Sequence, residues 1–320
     1  MKSPVARALA VLTALAVARV AASAEYLLPA NGDNVIGRNG TDVALQEDTL
    51  FDIARRNGVG YEELVAANPG VDPWLPGDGT EILIPSRYIL PDAPRTGIVV
   101  NLPEHRLYYY PKPKKGEPAV VITYPISTAK MDWKTPLGVT KIVSKEENPN
   151  WYPPASVLKE HEERGDPLPK VVPPGPDNPL GAHKMRLAIP GGAYLIHGTN
   201  KPAGVGMQVT HGCIRMYPEN VAELFAMVSI GTQVNLIDQP NKAGWQRGTL
   251  YVERHAALEG TNNPLDSDPA AMDRLVTEAA SGRPVEVDWS RVQGAFERQT
   301  GVPVSVSQPV RAALTREAPR

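Results

Sequence analysis

The chain has 320 residues, more than a single hydrophobic core usually supports, so we expect two or more domains. Its formal net charge of -2 excludes the basic excess with which nucleic-acid-binding proteins neutralise phosphates, so we expect no nucleic-acid partner. The chain has one cysteine, which excludes a disulfide within the chain.

Residues 1–24 have the pattern of a secretory signal peptide. Lys2 and Arg7 form a basic start, residues 8–18 are mostly apolar, and Ala22-Ser23-Ala24 is a small-residue cleavage site. The apolar run is too short to span a bilayer comfortably, and Arg19 interrupts it. The sequence therefore predicts an exported protein with no integral membrane segment after signal removal.

Residues 42–86 show a compact unit with the order strand, helix, helix, strand. Asp48 or Thr49 can cap the first helix, and Asp52 supplies the acid of a capping box. The second helix, at 61–67, stops before a proline that restricts the residue preceding it. Because a fold alone does not fix function, a helical spacer and a binding module remain equally open from these residues.

Three segments of this unit resemble those of a lysin motif (LysM): Glu47-Asp48-Thr49-Leu50, Ala67-Asn68-Pro69 and Ile84-Pro85. The LysM family binds glycans that contain N-acetylglucosamine, so the resemblance implies a peptidoglycan-binding domain at 42–86. Residues 87–96 follow as a proline-containing linker, which we expect to act as a semi-rigid spacer.

From residue 97 the pattern changes to β-strands. Residues 97–102 and 106–110 predict a hairpin, and the segments 119–127 and 139–143 predict further strands of a mostly antiparallel sheet. Residues 192–197 predict a strand that delivers His197 at its end.

A proline-rich segment at 145–181 is too long for an ordinary connection between strands. Its aromatic residues Trp151 and Tyr152 suggest a lid over an active-site cleft. His161 and His183 lie within or next to the segment, and we interpret both as solvated or structural.

The candidate catalytic residues lie in the segment 197–215. His197-Gly198-Thr199 lies sixteen positions upstream of the sole cysteine, which stands in Thr210-His211-Gly212-Cys213-Ile214-Arg215. A thiolate rather than a thiol is the nucleophile, and a neighbouring histidine can take the proton. Glycines let the backbone approach a substrate closely, and nearby peptide N–H groups can form an oxyanion hole. The residues therefore predict acyl transfer.

We assign catalysis to Cys213 as nucleophile, His197 as base and Gly198, whose carbonyl would orient the imidazole in place of a triad acid. Arg215 suits a substrate carboxylate, although an internal ion pair is an equally open alternative. We expect His211 to shape the turn. The other residues that we expect to bind substrate or shape the site are Gly212, Thr210 and Thr199.

A zinc centre formed by His197, His211 and Cys213 is the main alternative, because these are ligand types of catalytic zinc sites. The chain contains neither Cys-x-x-Cys nor His-Glu-x-x-His. We therefore predict no metal and no cofactor.

His-Gly-Thr followed by Thr-His-Gly-Cys-Ile-Arg resembles the signature of the L,D-transpeptidase (YkuD-like) catalytic domain. Matching segments also occur at 134–138, 174–181 and 217–220, so the resemblance covers roughly residues 96–238. Thr210 stands where many members have serine. The resemblance implies a mainly β fold with some α, in which a β-rich catalytic domain at 97–238 carries the insertion at 145–181.

The resemblance also implies a substrate. Cys213 would attack a peptidoglycan tetrapeptide stem at its third residue and release the terminal D-alanine. An amine would resolve the thioester, giving a 3→3 crosslink or the attachment of an outer-membrane lipoprotein, whereas water would make the enzyme an L,D-carboxypeptidase. The layout resembles periplasmic members that attach lipoprotein. A non-catalytic wall-binding protein and a zinc amidase remain the alternatives from other classes.

After the signature, apolar residues at helical spacing predict an amphipathic helix at 218–228, and 231–237 predicts a final strand. Residues 245–254 predict a strand or hairpin that adds to the catalytic domain. Segments 270–280 and 288–299 have helical potential, but interrupting Pro, Gly and Ser leave disorder equally open. We expect a partly disordered C-terminal extension at 239–320, to which we assign no function.

Overall fold

The computed structural model describes residues 24–130, 135–191, 194–258 and 268–309. The predicted signal peptide at 1–24 lies outside the described residues except for Ala24. Within the described ranges, no helix is both long and apolar enough to cross a membrane. The protein is mainly β, as the sequence predicts, and it has six α-helices in these ranges.

The helices are α1 (Leu50–Arg56), α2 (Tyr61–Ala67), α3 (Ala155–Glu163), α4 (Pro218–Met227), α5 (Pro269–Ala280) and α6 (Trp289–Arg298). The strands up to the insertion are β1 (Ala24–Leu27), β2 (Val35–Gly37), β3 (Gly40–Val43), β4 (Glu81–Ile84), β5 (Arg87–Ile89), β6 (Gly97–Asn101), β7 (Arg106–Tyr110), β8 (Val120–Ala129) and β9 (Gly138–Glu147). The later strands are β10 (His183–Leu187), β11 (Leu195–His197), β12 (Gln208–Thr210), β13 (Ile214–Met216), β14 (Gln233–Ile237), β15 (Asn241–Gln246), β16 (Thr249–Arg254), β17 (Val285–Val287), β18 (Val304–Ser305) and β19 (Ser307–Pro309).

A ten-stranded sheet forms the centre of the molecule. Its strands follow the order β1-β8-β13-β11-β10-β9-β14-β6-β7, β12 also pairs with β8, and a further pairing of β7 with β8 closes a ring. Most pairings are antiparallel, as predicted, but β11–β13, β12–β8 and β14–β6 are parallel. The apolar core inside this sheet includes Ile196 and Ile214, together with Val221 and Leu224 of α4.

The unit before the sheet has the predicted order of strand, helix, helix and strand, because β3 pairs with β4 around α1 and α2. Thr49 caps α1, and its side chain forms a capping box with Asp52. Leu50, Ile53 and Leu64 are fully buried in a separate core cluster. This unit therefore has its own apolar core.

The linker at 87–96 is not the spacer that its prolines suggested. Residues 87–89 form β5, which pairs with β2, and Tyr88, Ile89 and Leu90 are buried. Burial of these three apolar side chains holds the segment against the rest of the protein, so proline content misled the prediction.

The C-terminal region also differs from the expectation. The hairpin β15–β16 does not join the ten-stranded sheet but pairs with β18 in a sheet of three strands. Segments 270–280 and 288–299, for which disorder was equally open, contain α5 and α6, which share an apolar core with the hairpin. Asp268 and Asp288 cap the two helices, and such caps stabilise helix starts by ~1 kcal/mol.

A buried charged group, which we call the junction cluster, joins this region to the ten-stranded sheet. It consists of Lys242, Glu104, Glu253 and His255. Lys242 Nζ lies 2.8 Å from Glu104 Oε2 and 2.6 Å from Glu253 Oε1, and it donates to the carbonyl of Ile89 at 2.7 Å. Burial opposes charge on Lys242, but the two carboxylates outweigh it and raise its pKa. The cluster therefore holds three parts of the chain together with paired charges.

Candidate active site

Two neighbouring parallel strands position the predicted catalytic residues. In the register of β11 and β13, Ile196 lies opposite Ile214 and His197 opposite Arg215. Ile196 and Ile214 enter the core, and side chains alternate between faces along a strand. His197 and Arg215 therefore lie on the face opposite the core. Cys213 directly precedes β13, two positions before Arg215, and the alternation places it on the same face.

His197 is 5% exposed, and its environment fixes both its tautomer and its charge. Its Nδ1 lies 2.6 Å from the carbonyl oxygen of Gly198. A carbonyl only accepts hydrogen bonds, so Nδ1 carries the proton and Nε2 is left as the basic nitrogen. Burial, followed by the charge of Arg215, lowers the pKa of His197 to about 4. The imidazole is therefore neutral at pH 7 and able to accept a proton.

Cys213 is a thiol rather than a preformed thiolate in this structure. Burial raises its pKa above the ordinary value, while a hydrogen bond from the Leu195 backbone and the charge of Arg215 act in the opposite direction. A neutral thiol and a neutral imidazole in one site suit proton removal during attack rather than a resting ion pair.

Arg215 has the least satisfied charge in this site. Its Nε is buried without a hydrogen-bond partner, and among the described residues no carboxylate lies within ion-pair distance of its guanidinium. Burial lowers its pKa, although the group remains a cation at neutral pH. The structure therefore offers no internal ion pair for Arg215 within the described ranges, which removes support from that alternative.

The turn before Cys213 is fixed by its own hydrogen bonds. Thr210 Oγ1 donates to the carbonyl of Cys213 at 2.6 Å, and Thr135 Oγ1 donates to the carbonyl of Gly212 at 3.3 Å. Gly212 has φ of +103°, which disfavours any residue with a Cβ. Thr199 Oγ1 accepts a hydrogen bond from the backbone of Lys201 at 2.9 Å, which shapes the loop after His197.

The backbone around Gly198 is packed against the end of the insertion. A Cβ on Gly181 would lie 2.8 Å from the nitrogen of Thr199, and one on Gly198 would lie 3.3 Å from the carbonyl oxygen of Leu180. The fully buried Asn178 holds this end in place, because its amide donates to the carbonyls of Pro149, Val172 and Pro173. The sequence matched this segment to a family motif but did not assign this role to Asn178.

The insertion reaches the catalytic turn through an acidic residue that sequence reasoning missed. Glu160 of α3 lies 2.9 Å from Nε2 of His211. The hydrogen bond to His211 is the main cause that lowers the pKa of Glu160. A pair fifty-one positions apart has no local sequence signal, so only the fold reveals it.

The three residues of the zinc alternative do not form a ligand set in the described part of the chain. There, the group of acid, histidine and cysteine side chains close enough to share a metal ion consists of Glu104, Glu253 and His255. The ammonium of Lys242 already contacts both of these carboxylates. The charge of a metal ion would be added to that of the lysine, so the junction cluster is better explained as an ion-pair network.

Comparison with known proteins places this geometry in a family. The model of the L,D-transpeptidase catalytic domain matches residues 95–236, and the LysM domain model matches residues 46–73. Probable L,D-transpeptidase YcfS of Escherichia coli (strain K12) is 39% identical over 299 residues, which cover 92% of this chain and 91% of the relative. The chain belongs to the L,D-transpeptidase family.

Two further relatives agree with this assignment. Probable L,D-transpeptidase YbiS of the same strain is 37% identical, with 90% of this chain and 93% of the relative covered. Probable L,D-transpeptidase ErfK/SrfK of Salmonella typhimurium is 37% identical, with 92% and 94% covered. The predicted family, the mainly β fold and the L,D-transpeptidase class of acyltransferase are confirmed.

Proposed function

We propose that this L,D-transpeptidase works through Cys213 as nucleophile and His197 as general base. The observation that carries the proposal is the hydrogen bond from His197 Nδ1 to the Gly198 carbonyl, because it leaves Nε2 free of its proton. His197 lies opposite Arg215 in the two paired strands, and Cys213 lies two positions before Arg215, within hydrogen-bond reach of the Leu195 backbone. The Gly198 carbonyl takes the orienting role that an acid has in other triads.

The donor reaction follows from this arrangement. His197 Nε2 removes the thiol proton while Cys213 Sγ attacks the carbonyl of the third residue in a tetrapeptide stem. Peptide N–H groups of the turn at 211–213 stabilise the oxyanion. The tetrahedral intermediate then breaks its bond to the terminal D-alanine, whose amine receives the proton from His197. A thioester on Cys213 and free D-alanine remain.

The acceptor reaction reverses the proton movements. An amine attacks the thioester carbonyl, His197 removes a proton from that amine, and the thiol of Cys213 leaves with a proton returned by His197. We propose a lysine of an outer-membrane lipoprotein as the acceptor, with the amine of a second stem, which gives a 3→3 crosslink, as the other candidate. Arg215 would hold a carboxylate of the stem, since its guanidinium is buried without an ion-pair partner in the described ranges.

We propose peptidoglycan as the ligand of the LysM domain, which places the protein in the periplasm after export. An aromatic group on its surface supports this assignment. Phe51 and Tyr61 stack with ring centroids 3.8 Å apart, Trp74 lies 5.2 Å from Phe51, and Trp74 is 64% exposed. Trp74→Ala should weaken pelleting with purified sacculi, whereas Trp289→Ala, an exposed tryptophan in the C-terminal region, should not.

The catalytic proposal is tested with the mature protein and a disaccharide tetrapeptide, with or without a lysine-containing lipoprotein peptide as acceptor. Mass spectrometry should show release of D-alanine and a new amide, and Cys213→Ala should lower the rate at least about a thousandfold because the covalent route is lost. Tripeptide without the amide would make the enzyme a carboxypeptidase. Loss of activity with a chelator would instead support a zinc amidase. No reaction in the wild type or in Cys213→Ala would favour a wall-binding role.

A further inference from the structure

The LysM domain is not joined to the catalytic domain by the linker alone, because it also contacts a loop of that domain directly. The backbone nitrogens of Tyr61 and Glu62, at the start of α2, donate to the carbonyls of Val205 and Gly206 at 3.3 and 3.2 Å. Gly206 has φ of +86°, and a Cβ there would lie 2.4 Å from the Cα of Gly60. Gly206 leaves no space for a larger residue and Gly60 leaves very little, because the two backbones are in contact.

Ion pairs surround this backbone contact. Glu63 of α2 pairs with Arg106 of β7, whose side chain is fully buried. Arg55 of α1 makes two hydrogen bonds to Glu219 of α4, at 2.9 and 3.0 Å. Because the buried Arg106 has its carboxylate partner in the other domain, separating the domains would break this ion pair.

A third contact between the two domains continues into the sheet. Glu62 lies 3.2 Å from His105 Nε2, and the other nitrogen of His105 lies 3.0 Å from the hydroxyl of Thr128 in β8. The backbone nitrogen of Thr128 in turn donates to the carbonyl of Met207 at 3.1 Å. The LysM domain therefore contacts the loop at 204–207 both directly and through β8.

The same loop continues into the active site. A Cβ on Gly204 would lie 3.2 Å from Nη1 of Arg215, so this loop borders the guanidinium. After the loop, β12 pairs with β8 and ends at Thr210, whose hydroxyl donates to the carbonyl of Cys213. A short, hydrogen-bonded segment of polypeptide thus connects Gly206 to the proposed nucleophile, Cys213.

We propose that the LysM domain is a structural part of the catalytic site, because α2 positions the loop at 204–207 and, through it, Arg215 and Cys213. Gly60, Gly206 and Glu63 are then positioning residues for acyl transfer. This inference rests on the proposed function of Cys213 and Arg215. It also means that deleting residues 42–86 removes more than glycan binding, since it exposes Arg106 and releases the loop.

The test adds a small side chain at the contact between Gly60 and Gly206 in the full mature chain. Gly60→Ser adds a Cβ that would lie 3.1 Å from the Cα of Gly206, so the loop must shift by a few tenths of an ångström. Serine is also a good N-cap residue, and Glu63 already supplies the acid of a capping box, so the LysM domain itself should not lose stability. Gly40→Ser is the matched control, because nothing lies within 4 Å of a Cβ at Gly40.

With soluble disaccharide tetrapeptide, Gly60→Ser should lower kcat about threefold to tenfold, less than the 10²-fold that a misplacement of about 1 Å can cost. The thermal midpoint of Gly60→Ser should stay at or above that of the wild type. Gly206→Ala should have the larger effect, and Gly40→Ser none. Equal kcat values for Gly60→Ser, Gly40→Ser and wild type would overturn the proposal, even if Gly206→Ala fails to fold.

A second readout separates this inference from the proposed function. The rate at which iodoacetamide alkylates Cys213 should change in Gly60→Ser and not in Gly40→Ser, whatever the natural substrate is. If the wild type releases no D-alanine but alkylation still responds to Gly60→Ser, the proposed function fails and the coupling stands. If D-alanine release depends on Cys213 but neither kcat nor alkylation changes in Gly60→Ser, the proposed coupling is wrong and the proposed function still stands.

Discussion

Two of the buried groups of ionisable side chains in the described part of the molecule differ in how completely their charges are paired. In the junction cluster, Lys242 contacts Glu104 and Glu253, which are almost entirely buried with it. On the face that carries the proposed catalytic residues, Arg215 has a buried nitrogen that makes no hydrogen bond within the described ranges, and His197 and Cys213 are neutral. A buried charge that lacks a partner is costly unless a ligand supplies one. We therefore expect the paired group to affect mainly stability and, on the proposed function, expect Arg215 to bind a carboxylate of the substrate.

The largest expected difference between the two groups is the loss of turnover when the histidine of each group is replaced. His197→Gln should lower turnover about 10²- to 10⁴-fold, the usual contribution of a general base, with little loss of stability. His255→Gln changes a histidine of the junction cluster, whose Nε2 lies 2.6 Å from Glu253, and should leave turnover in place. Steady-state D-alanine release and thermal unfolding measure both effects. Equal losses of turnover in the two variants would show that His197 has no catalytic role that His255 lacks.

The reverse pattern is expected for Lys242. Lys242→Met leaves the carboxylates of Glu104 and Glu253 buried without their cation, so it should lower the free energy of unfolding by about 3–5 kcal/mol. The folded fraction should still release D-alanine. Chemical denaturation compares this variant with Lys141→Met, which alters an exposed lysine of β9. A loss of activity without a loss of stability would show that the cluster has a catalytic role.

The low pKa of His197 predicts a pH dependence of stability. The unfolded histidine takes up a proton below its ordinary pKa of about 6.5, whereas the folded one remains neutral until about pH 4. The unfolded state therefore binds more protons between these values, and stability should fall as pH is lowered through this window. The part due to His197 is at most about 3.5 kcal/mol, the product of a window of about 2.5 pH units and about 1.4 kcal/mol per unit. It is measured as the difference between wild type and His197→Gln, which should have a flatter profile.

A smaller effect on activity is expected from changing Arg215, which has no ion-pair partner among the described residues. Arg215→Lys keeps the charge but loses the planar pair of donors, so kcat/KM should fall roughly ten- to a hundredfold, as for a lost charge-assisted hydrogen bond. Arg186→Lys, an exposed arginine on β10, is the control. A stem peptide without its free carboxylate should be turned over equally by Arg215→Lys and wild type. If the two enzymes still differ on that peptide, Arg215 does not bind the carboxylate.

The success of the sequence predictions depended on how local the signal was. The cap of α1 by Thr49 was predictable because Thr49 and Asp52 are three residues apart, and the motif around Cys213 lies in one continuous segment. The burial of Tyr88 was missed because its partners lie far along the chain. The C-terminal helices were left open because interrupting glycine and proline residues concealed an apolar face that the hairpin covers.

The same limit applies to the contact between Glu160 and His211, which gives the smallest expected effect. Glu160→Gln keeps the shape of the side chain but removes the charge that faces the imidazole, so the insertion should hold the turn before Cys213 less firmly. Since the pair is partly exposed, its contribution is at the low end for ion pairs, and we expect kcat to fall only about two- to fivefold. Glu163→Gln, on the same helix and paired only with the exposed Lys159, is the control. If α3 acts as a closing element, Glu160→Gln should also speed the alkylation of Cys213, because the charge that holds α3 over the site is lost. Slower turnover with unchanged alkylation would mean that Glu160 orients His211 without restricting access.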